Sequence, residues 1–128
     1  MTMVERLTRC IIGWQVVVER TEAVTQALVD EAPQAVLYYS DDFPTYSAVL
    51  YTPGVHIALR DKSQTYSVEG DNAELRHYLA RLARRSRCFS RCIKALRRAI
   101  KLFVYAWNRR QLYKQRYPAY PAHVMDFA

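Results

Sequence analysis

The chain has 128 residues, of which 51% are hydrophobic and 24% are charged, and its formal net charge is +7. This composition excludes a disordered chain, and the length suits one domain over residues 1–128. No apolar run reaches the roughly 18 residues of a membrane-spanning helix, and the opening MTMVERLTR lacks the apolar core of a signal peptide. Three cysteines form no disulfide framework, so we expect a cytoplasmic protein.

Basic residues are concentrated in the second half of the chain. Residues 1–68 contain five Lys/Arg and eight Asp/Glu, whereas residues 69–128 contain fourteen and four. Such a distribution indicates a polyanionic partner, most often nucleic acid, with a solvated helix surface as the alternative interpretation. We therefore expect residues 69–117 to form a basic helical part.

The first half predicts alternating strands and helices. CIIGWQVVV, residues 10–18, is rich in β-branched residues and predicts a buried strand. Thr21 can cap a helix that ends at Pro33, and QAVLYY, residues 34–39, predicts a second buried strand. A strand, a helix and a strand in this order favour a right-handed crossover within one α/β sheet.

The second predicted strand is followed by SDDFPTY, residues 40–46. Asp41 is therefore expected at the carboxyl end of a strand, where open α/β sheets build their sites. Pro44 can begin a short helix that runs to residue 50. A Pro53-Gly54 turn then precedes VHIAL, residues 55–59, which predicts a third strand.

Two helices are expected in the basic half, over about residues 69–87 and 91–114. On the first helix, Glu69, Asn72 and Arg76 share one face, and leucines occupy another. The second helix carries an apolar stripe with basic residues between its members. The stripe consists of Ile93, Leu96, Ile100, Phe103 and Trp107.

Glu69 admits two explanations. An acid at a helix start is stabilised by the helix dipole alone, by about 0.3–1 kcal/mol. Alternatively, Glu69 and Asp41 converge over the sheet and form a hard oxygen site for Mg²⁺. Arg76, on the same helix face as Glu69, would then pair with a phosphate through its guanidinium fork.

Several segments resemble transposases of the insertion sequence 1 family. LYYSDDFPTYSAVLY is similar to the segment around the family's second acid, and VEGDNAELRHYLARLARRSRCFSR to the segment around its third. GWQVVVERTEAVTQALVDEAP and FVYAWNRRQLYKQRYPAYPAHVMDF resemble the strand and helix before the second acid and the family's tail. The resemblance covers nearly the whole chain, and its most specific part is the Glu-x-x-Asn-x-x-x-Arg pattern that begins at Glu69.

The resemblance implies a ribonuclease H-like fold and an Asp-Asp-Glu transposase that uses two Mg²⁺ ions. Asp41 would be the second acid and Glu69 the third, both as metal ligands and catalytic residues, with Asn72 and Arg76 beside them. Asp42 is interpreted as a neighbour of the site rather than a ligand.

The resemblance also implies the partners. The first partner is DNA, both the transposon ends and the target. The second is either further copies of the chain or full-length transposase in a mixed oligomer. The resemblance also implies that the protein is associated with the nucleoid. The residues expected to contact DNA are basic positions of the two helices, namely Arg76, Arg84, Arg87, Arg91, Lys94, Arg97, Arg98 and Lys101.

The chain departs from the family pattern at its beginning. The family's first acid precedes the strand that matches CIIGWQVVV, and none of the acids before Asp41 occupies that place; these are Glu5, Glu19, Glu22, Asp30 and Glu31. The family's N-terminal DNA-binding part has no counterpart either. We therefore expect the C-terminal part of a transposase, inactive alone, with an incomplete ribonuclease H-like fold of about three strands followed by two long helices.

Two other functions remain open at this point. One is a non-catalytic DNA-binding fragment that regulates or inhibits full-length transposase. The other, supported by less of the sequence, is a basic helical RNA-binding protein.

Overall fold

The computed structural model describes residues 1–61, 63, 65–79, 93–119 and 122–128. These residues form two compact units. The strand unit comprises Met1–Val4 and Ile12–Glu69, and the helical unit comprises Glu5–Ile11 and Gly70–Ala128. The expected α/β class is confirmed. The elements are β1 Thr2–Val4, β2 Ile11–Trp14, α1 Glu22–Glu31, β3 Leu37–Asp41, α2 Pro44–Ser47, β4 Val55–Leu59, α3 Tyr66–Tyr78, α4 Ile93–Arg116 and a 3₁₀ helix, Val124–Phe127.

Strands β1 and β2 pair as a hairpin. The Gln15 amide donates to the Met1 carbonyl at 2.9 Å and the Glu5 amide to the Cys10 carbonyl at 2.8 Å, so the strands run in opposite directions. The prediction of a buried strand over residues 10–18 was too long. The observed β2 ends at Trp14, and Val18 is 99% exposed.

Helix α1 begins and ends where its capping residues predict. The Thr21 side chain accepts a hydrogen bond from the Val24 amide at 3.3 Å. The helix ends at Glu31, and the Ala32 cap and Pro33 follow it. Gly13 of β2 lets α1 approach closely, because a Cβ atom at this position would lie 3.1 Å from Leu28 Cδ1 and 3.3 Å from Ala32 Cβ.

Strands β3 and β4 form a parallel pair, in a register that runs from Leu37 opposite Val55 to Asp41 opposite Leu59. The predicted third strand is confirmed at both ends. The second predicted strand begins later than expected, and it is not buried on both sides. Tyr38 is buried, but Leu37 is 47% exposed, and Val36, just before the strand, is 82% exposed.

The predicted crossover within one sheet is wrong for the described part of the chain. There, β2 pairs with β1, while β3 pairs with β4 in a separate sheet. The three residues of β1 were not predicted as a strand, yet they supply the partner that β2 requires. The parallel connection instead joins β3 to β4 through α2. The ribonuclease H-like arrangement stays a prediction.

Helix α4 forms the apolar core of the helical unit. Its 24 residues bury Leu96, Ile100, Phe103 and Trp107, as the sequence predicts, whereas Ile93 is 57% exposed. The tail packs through Val124, which is 1% exposed. Helix α3 begins three residues before its predicted start, at Tyr66, and ends at Tyr78; residues 80–92 of the expected basic helices lie outside the described residues.

Within the described ranges, no helix combines the length and apolar character needed to cross a membrane.

Candidate active site and nucleic-acid interface

Asp41 is the last residue of β3, as the sequence predicts, and its side chain is exposed. Its Oδ1 atom lies 3.4 Å from the amide of Phe43, across the turn that follows the strand. The neighbouring carboxylate has a different partner, since Asp42 Oδ2 lies 3.5 Å from Arg60 Nε in a surface ion pair. Asp41 therefore presents a carboxylate to solvent at the carboxyl end of a parallel strand.

Glu69 is exposed in the first turn of α3. It belongs to the strand unit, together with Asp41. Asn72, which is half-buried, and Arg76, which is exposed in the last turn of α3, belong to the helical unit. That the four side chains form one catalytic site stays a prediction.

The two carboxylates suit the chemistry of the metal that the resemblance implies, because Mg²⁺ prefers hard oxygen ligands. Among the described residues, however, no group of three or more His, Cys, Asp or Glu side chains is arranged to hold a metal ion. The described residues thus offer the right kind of ligand at Asp41 and Glu69, without a complete ligand set.

A cluster beside Asp41 was missed by the sequence analysis. Ser40 Oγ lies 2.8 Å from His56 Nε2 on the neighbouring strand and 2.8 Å from the carbonyl oxygen of Asp41. The His56 ring stacks on Tyr51 with a centroid distance of 4.4 Å and an interplanar angle of 15°. Burial lowers the pKa of His56. No motif joins Ser40 and His56, which are 16 positions apart; only the strand register brings them together.

Tyr51 connects this cluster to α2. Its hydroxyl donates to the Tyr46 carbonyl at 2.9 Å, and its ring lies 4.9 Å from that of Tyr38. Burial, with smaller contributions from Tyr46 and Tyr38, raises the pKa of Tyr51 to about 12. The hydroxyl therefore remains a hydrogen-bond donor at neutral pH.

A buried ion pair in the helical unit was also missed. Asp71 is 3% exposed, and each of its carboxylate oxygens accepts a hydrogen bond from Arg9. Arg9 Nη2 donates to Oδ1 at 2.6 Å, and Arg9 Nε donates to Oδ2 at 3.3 Å. The Arg9 carbonyl accepts from Trp107 Nε1 at 3.1 Å, and the Asn108 side chain exchanges hydrogen bonds of 2.7 and 2.9 Å with the Ile11 backbone. These contacts attach the loop between β1 and β2 to α3 and α4.

The predicted DNA-contacting residues divide into two groups. Arg84, Arg87 and Arg91 lie outside the described residues. The others are exposed on α3 and α4, away from the buried stripe of α4: Arg76, Lys94, Arg97, Arg98 and Lys101.

Tyr105 extends the exposed face of α4. It is 52% exposed, its hydroxyl accepts a hydrogen bond from Arg109 Nη1 at 2.6 Å, and the guanidinium carbon of Arg109 lies 5.3 Å from its ring centroid. Basic and aromatic groups thus share one solvent-facing side of the helix, a combination that suits nucleic acid.

Comparison with known proteins adds one finding. The family model described as IS1 transposase matches residues 2–111, a span that includes Asp41, Glu69, Asn72, Arg76 and most of α4. Searches of curated proteins and of solved structures give no match. Because the matched span covers most of the 128 residues, the chain belongs to the IS1 transposase family.

Proposed function

We propose that the chain functions in DNA transposition as the part of a ribonuclease H-like transposase domain that carries the second and third acids, Asp41 and Glu69. The observation that carries this proposal is the family match over residues 2–111, which includes both acids. The exposure of Asp41 at the end of β3 and of Glu69 in the first turn of α3 supports it, since a phosphodiester substrate must reach these carboxylates.

Each residue of the proposed site has a role that its chemistry suits. Asp41 and Glu69 would hold Mg²⁺ through their carboxylate oxygens. Bound Mg²⁺ supplies activation of the attacking oxygen and stabilisation of the leaving oxygen in displacement at phosphorus. Arg76 would pair with a phosphate of the DNA through two N–H groups, and Asn72 would orient the substrate by hydrogen bonding.

The resemblance assigns Asp41 and Glu69 to two of the family's three acids, and we further propose that these two acids alone do not support strand transfer. A duplex carrying transposon ends is incubated with the purified chain and Mg²⁺, and cleavage products are measured. We expect no turnover. Robust cleavage that Glu69→Gln abolishes would contradict the proposed inactivity.

The metal ligands are tested separately by NMR with Mn²⁺ as a paramagnetic substitute. The amide signals of Asp41 and Glu69 should broaden at low Mn²⁺ concentrations, and Asp41→Asn should remove the effect at both positions. Glu74→Gln, an exposed acid elsewhere on α3, serves as the control and should leave the broadening unchanged. Absence of broadening at both residues in the unaltered chain would overturn their assignment as metal ligands.

The exposed basic side of α4 favours a second candidate, a DNA-binding fragment that regulates or inhibits full-length transposase in a mixed oligomer. Lys94, Arg98 and Lys101 share this face with Tyr105 and Arg109, and phosphate binding by these side chains requires no metal. This role uses neither carboxylate, so it would survive loss of both Asp41 and Glu69.

Fluorescence anisotropy with labelled duplex distinguishes the candidates. The triple variant Lys94→Gln/Arg98→Gln/Lys101→Gln should reduce the slope of log K against log salt by about 2.7, or about 0.9 per phosphate contact. The control removes the same charge from exposed positions elsewhere, through Arg6→Gln, Arg20→Gln and Arg60→Gln.

Equal losses in the two triple variants would reject a specific α4 interface. Binding that persists in EDTA and in Asp41→Asn/Glu69→Gln supports the regulatory role, whereas dependence on both acids and on Mg²⁺ supports the transposase site. Stronger binding to structured RNA than to duplex DNA would contradict both candidates.

A further inference from the structure

The turn that carries Asp41 is anchored on both sides by one stacked pair of rings. On the upstream side, Ser40 at the end of β3 contacts the His56 ring at 2.8 Å. On the downstream side, the Tyr51 hydroxyl donates to the carbonyl of Tyr46 in α2 at 2.9 Å. His56 and Tyr51 stack with a centroid distance of 4.4 Å, so both anchors belong to the same pair of rings.

The polarity of the hydrogen bonds around Ser40 follows from the atoms present. The Asp41 carbonyl can only accept, so the single hydroxyl proton of Ser40 is donated to it across 2.8 Å. The Ser40 oxygen must then accept from His56, which therefore carries a proton on Nε2. A chain of two hydrogen bonds thus runs from His56 through Ser40 to the backbone of Asp41.

The strand register explains why the two hydrogen bonds from His56 through Ser40 reach the Asp41 backbone without involving the Asp41 carboxylate. Tyr38 is paired with His56, and side chains alternate along a strand, so Tyr38, Ser40 and His56 share one face of the β3–β4 pair. Asp41 is on the opposite face. These two hydrogen bonds can therefore restrain the backbone of Asp41 while the Asp41 carboxylate stays available to a ligand.

We propose that His56 and Tyr51 are positioning residues for Asp41, and that they order the turn over residues 41–43 and thereby fix the direction of the Asp41 carboxylate. The role of that carboxylate as a metal ligand rests on the proposed function; the ordering of the turn does not. Positioning of this kind raises affinity because the ligand is already held in its binding orientation.

The test uses two independent NMR readouts on the whole chain. The ¹H–¹⁵N heteronuclear NOE at residues 41–43 reports order of the turn, and Mn²⁺ broadening at Asp41 reports metal binding. His56→Leu removes the donor, while His56→Gln restores an N–H donor. His77→Leu makes the same change at an exposed histidine of α3 and serves as the control.

We expect His56→Leu to lower the NOE at residues 41–43 and to weaken Mn²⁺ binding about tenfold, a loss of about 1.4 kcal/mol. His56→Gln should recover most of both signals, and His77→Leu should change neither. A turn as ordered in His56→Leu as in the unaltered chain would overturn the proposal.

A milder variant keeps the proposal testable if His56→Leu disturbs folding. Tyr51→Phe retains the ring stack and removes only the hydroxyl, so it should lower the NOE at residues 41–43 while the NOE values of α1 remain unchanged. An unchanged NOE at residues 41–43 would remove Tyr51 from the proposal. If the unaltered chain shows no Mn²⁺ broadening, the metal-ligand role of Asp41 fails, and the NOE data alone decide whether His56 orders the turn.

Discussion

Arg9 has an unusual backbone conformation that its contacts help to maintain. Its φ angle of 61° lies in the left-handed region, which costs a residue other than glycine about 1–2 kcal/mol. The guanidinium forks onto the buried Asp71, and the carbonyl of Arg9 accepts from Trp107. Side chain and backbone together therefore hold the loop between β1 and β2 in one conformation.

Removing one partner of this ion pair should be costly. We expect Asp71→Ala to destabilise the chain by about 3 kcal/mol, near the lower end for buried pairs, because Arg9 is one-third exposed and water partly compensates its charge. Unfolding in urea, followed by circular dichroism, measures the loss. Glu74→Ala, at an exposed position of the same helix, should change stability by less than about 0.5 kcal/mol.

The double replacement Arg9→Met/Asp71→Leu tests the physical reason for that loss. It removes both charges and replaces them with apolar side chains, so it should recover most of the stability that Asp71→Ala loses. A double variant as unstable as Asp71→Ala would indicate that packing around Asp71, rather than the unpaired charge of Arg9, causes the effect.

The contrast between Glu69 and Asp71 shows what can be predicted at single positions. Local rules apply to Glu69, because an acid favours the start of a helix and a family pattern begins there. Asp71, two residues later, is buried by a partner 62 positions away. No local rule distinguishes such an acid from a solvated one, so the loop that contacts it could not be predicted either.

At the level of secondary structure, the N-terminal cap of α1 can be tested directly. Thr21→Ala removes the oxygen that accepts from the Val24 amide, and we expect a loss of about 1 kcal/mol in the free energy of unfolding. Thr21→Ser keeps that oxygen and should lose much less. Thermal unfolding of the three proteins checks this, and equal losses for alanine and serine would show that the hydroxyl does not stabilise the helix.

Elements were predicted well where their determinants are local. The cap and proline of α1, the VHIAL strand and the apolar stripe of α4 all lie within short segments, and the structure contains each of them. The strand predicted over residues 10–18 fails for a different reason. Strand length depends on the pairing with a distant segment, and within the described residues β2 pairs with the three-residue β1 and ends at Trp14.

For the whole molecule, the pairing of the strands could not be predicted from the sequence. Periodicity predicts which segments are strands, but the choice of sheet depends on contacts between distant segments, and β2 pairs with β1 rather than joining β3. The same limit applies to the candidate site. Asp41 was placed correctly at a strand end, whereas Ser40, His56 and Tyr51 became visible only through the β3–β4 register.

The distance between the basic side chains of α4 determines which parts of a DNA duplex this helix can contact at the same time. A helix rises about 1.5 Å per residue, so Lys94 and Lys101 are separated by about 10 Å along the axis, close to the roughly 12 Å width of a major groove. Two turns of α4 laid across a duplex could therefore reach both sugar–phosphate banks of one groove. Such a contact would cover only a few base pairs. Recognition of a particular transposon end would therefore require other surfaces.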